Sequence, residues 1–155
     1  MSKSIKLRLA AFLLFSLSLP PLGALAADTD ETPGSAGNQT FEDLRRLVDA
    51  GEYENALPAL EKLDQESPDN PDVLNLIGFS MRKTGKLADA LVFYNKALAL
   101  NPMHLGANEY LGELYLETKQ PEMAKARLAV LEKACGDCDE FMELKEKIEG
   151  YRPQS

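Results

Sequence analysis

A fixed period constrains this chain more than anything else in it. Sliding the sequence by 34 places brings Gly51, Gly85 and Lys119 into one column and Ala56, Ala90 and Ala124 into another. Leu60, Tyr94 and Leu128 fill a third column, and Leu63, Ala97 and Leu131 a fourth. Pro68 and Pro102 close the first two units at the same offset. A repeat of this length marks a helical array, in which no unit can bury its own apolar face and each must stack on a neighbour. Such arrays are generally binding surfaces and not active sites.

Within each unit the apolar spacing predicts two antiparallel helices. In the middle unit, Pro71-Asp72 opens a helix whose Val73, Leu74, Ile77 and Met81 share one face. Gly78 lies inside it, where glycine costs about 1 kcal/mol against alanine, so a neighbouring helix is expected to cross there. Thr84-Gly85 ends the helix with a residue suited to the left-handed conformation. A second helix is expected from Leu87 to Leu100, stopped by Asn101-Pro102. Leu44, Leu47 and Val48 face inward in the first unit, with Tyr53, Ala56, Leu57, Leu60 and Leu63 on the return helix. Pro58 is placed near the end of that helix's first turn. In the third unit Tyr110, Leu111, Leu114 and Tyr115 precede the turn, and Met123, Ala124, Leu128 and Leu131 follow it. A last helix is expected over residues 139–150. Its Phe141, Leu144, Ile148 and Tyr151 form one stripe with a charged back, as a capping helix requires.

These residues resemble the tetratricopeptide repeat family. Its signature pairs Leu-Gly and a later Tyr in the first helix with Ala, an aromatic, Ala and a closing Pro in the second. The third unit has Leu111-Gly112 and Tyr115; the middle one has Ile77-Gly78, then Ala90, Tyr94, Ala97 and Pro102. The first unit has Asp43-Leu44 where Leu-Gly is usual, and the family's leading Trp is replaced by Thr40, Leu74 and Asn108. The resemblance implies an all-α, right-handed solenoid of three helix pairs (units 37–70, 71–104 and 105–138) with a capping helix at 139–150, and a tail from 152. It also implies a concave surface lined by the first helix of each unit. Candidate partner contacts there are Phe41 and Arg45, then Asn75, an exposed Phe79 and Arg82, then Glu109, Glu113 and Leu116. The matching columns do not reproduce the family's Lys/Asn/Arg clamp for peptide carboxylates; Asn75 alone fits it. The groove is expected to be split, basic in the first two units and acidic in the third.

The start of the chain reads as a targeting segment. Lys3, Lys6 and Arg8 precede an apolar stretch from Leu9 to Leu19, and Ala24-Leu25-Ala26 supplies small residues for cleavage before Ala27. This is the pattern of a secretory signal peptide over 1–26, too short to span a bilayer comfortably, and no later run is apolar enough to do so. Residues 27–39 read as a flexible leader. The first 26 residues hold three of the 17 basic residues and none of the 25 acidic ones, so the remainder carries a charge of about −11. An acidic surface disfavours nucleic acid and anionic lipid.

Export to a periplasm permits a disulfide between Cys135 and Cys138. One reading is a staple pinning the capping helix. The other is a thiol–disulfide redox pair, with Cys138 near a helix start, although the βαβ context of such enzymes is missing. Metal binding lacks ligands, since His104 is the sole histidine. No Ser/His/Asp set or glycine-rich phosphate loop appears. The expectation is therefore a non-catalytic module without cofactor that binds a protein or peptide. Three units lie near the lower limit for an independent array, so self-association is compatible with the pattern.

Overall fold

The computed structural model of the chain describes residues 39–152. The expected signal peptide, the leader up to residue 38 and the end of the tail lie outside the described residues. Seven helices make up that span: α1 (Phe41–Asp49), α2 (Tyr53–Glu66), α3 (Pro71–Lys83), α4 (Leu87–Leu100), α5 (Leu105–Glu117), α6 (Pro121–Ala134) and α7 (Asp139–Gly150).

Local chemistry sets their ends. Thr40 and Asp43 form a reciprocal capping box at the start of α1. Asn70 Oδ1 accepts from the backbone N–H groups of Asp72 and Val73 at the start of α3, where Pro71 supplies its fixed φ. His104 caps α5 in the same way, its Nδ1 accepting from Ala107 N–H at 3.1 Å. The turn inside each unit repeats as well. Glu52, Lys86 and Gln120 each donate a backbone N–H to the carbonyl five residues earlier. The residue before each donor is left-handed: Gly51 at φ 81°, Gly85 at φ 80° and Lys119 at φ 60°. Pro58 departs from expectation. The tight Gly51 turn starts α2 at Tyr53, so Pro58 falls in the second turn, exposed inside the helix. Its missing N–H leaves one carbonyl of the turn before it without its helical donor.

Each helix packs on the one before and after it in the chain, and α1, α3, α5 and α7 also touch in succession. The return helices α2, α4 and α6 do not touch one another. Helices in mutual contact on one side and apart on the other make a curved stack, with α1, α3, α5 and α7 on the inside. One continuous core runs through it, including Leu44, Leu60, Ile77, Tyr94, Leu111 and Leu114. Two glycines permit its closest approaches. A Cβ on Gly78 would lie 2.8 Å from the Tyr94 ring, and one on Gly112 would lie 2.5 Å from Leu144 Cδ2. The capping helix buries Leu144 fully, whereas Phe141, Ile148 and Tyr151 of the expected stripe are half-buried. In α6 the expected core residue Met123 is exposed, because the helix presents Ala124 and Leu131 to the stack instead.

Candidate functional site

The inner helices form two different surfaces, and the expected contact residues divide between them. The first is a seam where successive inner helices meet edge to edge. Phe79, expected to be exposed, is half-buried there. Its ring lies 5.9 Å from Tyr53 and 4.5 Å from Tyr110, forming an aromatic row from α2 across α3 to α5. Arg82, also placed on the open surface by its spacing, has a side chain only 3% exposed. Its guanidinium reaches Glu113 at 2.5 Å and Glu117 at 2.6 Å and lies 5.5 Å and 5.8 Å from the ring centres of Phe79 and Tyr110. Glu113 pairs in turn with Lys147 on α7. Glu109 is buried beneath α7, and Leu116 is half-buried against the core. Phe79, Arg82, Glu109 and Glu113 leave the apolar stripe of their own helix pair only to enter the seam with the next inner helix.

Burial shapes the seam's electrostatics. Desolvation, reinforced by the neighbouring Glu143 carboxylate, pushes Glu109 up to about 8, so it is protonated at neutral pH. Burial also lowers Lys147 and raises Tyr110 to about 12. The carboxylates of Glu109, Glu113 and Glu143 lie within 4.8 Å of one another. Glu113 already faces two cations and Glu109 holds its proton, so the group reads as an ionic seam tying α3, α5 and α7 together.

The second surface is a groove of about 510 Å³ that crosses the inner helices near their N-terminal halves. Phe41 and Arg45 of α1, Asn75 of α3 and Tyr110 of α5 line it, joined by Glu42, Asp49, Asp72, Leu76, His104, Gly106 and Glu140. Three of the expected contact residues are thus brought together here: Phe41, Arg45 and Asn75. The groove's acidic members come from three helices and its one formal cation is Arg45, whose Nε lies 3.9 Å from Asp49. The expected split into a basic and an acidic half is therefore corrected: Arg82 is spent in the seam, and Glu109 and Glu113 are covered. His104 Nε2 faces Asp72 Oδ1 at 3.0 Å; since Nδ1 accepts from Ala107, Nε2 is the donor. Asn75 is 7% exposed, and its Oδ1 has no hydrogen-bond partner.

Spacing alone misses Asp72, Leu76, His104 and Glu140 as groove residues. A signal for the seam does exist in the chain: complementary side chains about one period apart, such as Glu113 with Lys147 and Arg82 with Glu117.

The helix pairs build a solenoid, and comparison places it among tetratricopeptide folds. A family model described as tetratricopeptide repeat matches residues 81–148. No curated protein sequence matches the chain. Among solved structures, the first tetratricopeptide domain of Spaghetti (RPAP3), bound to the HSP90 peptide SRMEEVD, superposes with a TM-score of 0.63 at 22% identity, covering 70% of this chain and 86% of that one. The first such domain of human RPAP3 gives a TM-score of 0.64 at 22% identity, covering 70% and 85%. MamA from Desulfovibrio magneticus RS-1 gives 0.55 at 20% identity, covering 69% of this chain and 55% of that one. The described residues thus carry a tetratricopeptide-type solenoid of three helix pairs with a distinct C-terminal helix.

Proposed function

We propose that this protein is a non-catalytic interaction module of the cell envelope that holds an extended segment of a partner protein in the groove along α1, α3 and α5. The observation that carries this reading is the groove itself: an apolar floor of Phe41, Leu76 and Tyr110 with the Asn75 side-chain amide beside it. Its Nδ2 can donate to a main-chain carbonyl of an extended chain laid in the groove. The peptide-bound Spaghetti domain supports the same use of a similar fold. Export to a periplasm is supported by the basic and apolar start of the sequence and by the Cys135–Cys138 disulfide.

Affinity capture from the source cell's envelope tests this reading. The wild-type chain is expected to recover a partner that Leu76→Arg, at equal helicity by circular dichroism, does not. Equal recovery by both would remove the groove from the account.

A further inference from the structure

Resting on that reading of the groove, we infer that the segment it takes is positively charged: a lysine or arginine beside an apolar or aromatic side chain. Three independent features lead there. Glu42, Asp49, Asp72 and Glu140 border the groove, against the single cation Arg45, which is itself within 3.9 Å of Asp49. The nearest cations of the seam are engaged, and Lys83 lies over the Phe79 ring outside the groove lining. Arg82 is held by Glu113 and Glu117, and Lys147 by Glu113, with Glu143 3.7 Å away. A peptide carboxylate would therefore meet one cation, Arg45, against four carboxylates, and would be repelled by the rim.

The third feature is the floor. Phe41, Leu76 and Tyr110 offer apolar surface to a neighbouring side chain, and the aromatic rings favour a cation above them. Asn75 Nδ2, close to where a Gly106 Cβ would lie, can donate to a main-chain carbonyl of the segment. The occupant is a basic segment of a partner protein, the reverse in charge of the acidic-ended peptide on the Spaghetti domain.

Selection of random peptides displayed on phage against the purified full chain, with Leu76→Arg as counter-selection, tests this. Enrichment of Lys and Arg over Asp and Glu by at least threefold, next to Leu, Phe or Tyr, is expected. Selected peptides should bind the rim variant Asp49→Lys/Glu140→Lys at least tenfold more weakly than wild type, and should weaken as NaCl rises from 50 to 300 mM. The rim variant carries the test if Leu76→Arg does not fold. Acidic or neutral peptides that depend on Leu76 would overturn the charge assignment and leave the groove standing. Basic peptides that bind both variants as well as wild type would show general attraction to an acidic surface, and would overturn it too. No enrichment over the counter-selection would remove the groove reading itself. Concentration-dependent dimerisation blocked by the rim variant would replace the partner by a second copy of this chain.

Discussion

Lys119 shows how a single residue can sit against its own preference. It occupies the left-handed turn position that glycine fills in the two earlier units, and an ordinary L-residue pays about 1–2 kcal/mol there. Lys119→Gly is expected to stabilise the domain by about 1 kcal/mol, read as a rise in the urea midpoint. Gly78 gives the opposite case. Gly78→Ala gains helix propensity but pushes a methyl group to 2.8 Å from the Tyr94 ring. Overpacking of this kind costs about 1–3 kcal/mol, so a net loss in thermal midpoint is expected. The sequence announces Gly78 as a crossing point because an internal helical glycine demands a reason. It does not announce which ring crosses there, since that depends on how two helices lie together. Asn75 is similar: its spacing places it off the apolar stripe, but only the packed structure leaves its oxygen without a partner.

At the scale of elements, α7 is the helix on which two separate expectations converge. It seats Leu144 against Gly112 and closes over Glu109, which keeps a proton that the unfolded chain releases. Between Glu109's ordinary value of 4.5 and its folded value of about 8, the folded state therefore binds more protons than the unfolded one. Stability falls as pH rises across that window. The groups facing Glu109 are Glu140, Glu143 and Lys147 on α7 and Glu113 and Tyr110 on α5, while Arg82 and Lys83 on α3 act on Lys147 beside it. Urea midpoints should drop from pH 5 to pH 8.5, and Glu109→Gln should flatten the drop. An unchanged slope in that variant would assign the effect elsewhere. The disulfide bridges the C-cap of α6 and the N-cap of α7. Cys135→Ser/Cys138→Ser should lower stability by about 2 kcal/mol from the short loop it releases, with the helical content retained. The ends of these helices are legible in the sequence because Pro71, Pro121, Gly85 and Asn101-Pro102 act locally. The seam shows only in charge pairs about one period apart, because a single position off the apolar stripe looks the same whether it meets water or the flank of the next inner helix. Arg82, Glu109 and Glu113 are charged residues on such a flank, and charge alone points outward.

For the molecule as a whole, the repeat leaves its return helices apart and brings its inner helices together, so that the groove belongs to no single unit. Phe41, Asn75 and Tyr110 come from three units and line one groove only because the stack holds. Gly112→Ala, which would drive a Cβ to 2.5 Å from Leu144 Cδ2, should loosen α7 while amides of α1 to α4 keep their hydrogen-exchange protection. If the chain is exported as its start suggests, N-terminal sequencing of the protein isolated from source cells should begin at Ala27. The most direct test of the central claim, that the inner face holds a partner, is photo-crosslinking in the living source cell. A crosslinking residue would be placed at Arg45 or Leu76 in the groove, and at the exposed Val92 or Met123 on the return helices. Adducts of one defined mass at positions 45 and 76 and none at 92 and 123 are predicted. Adducts at the outer positions alone, or equally at all four, would contradict it.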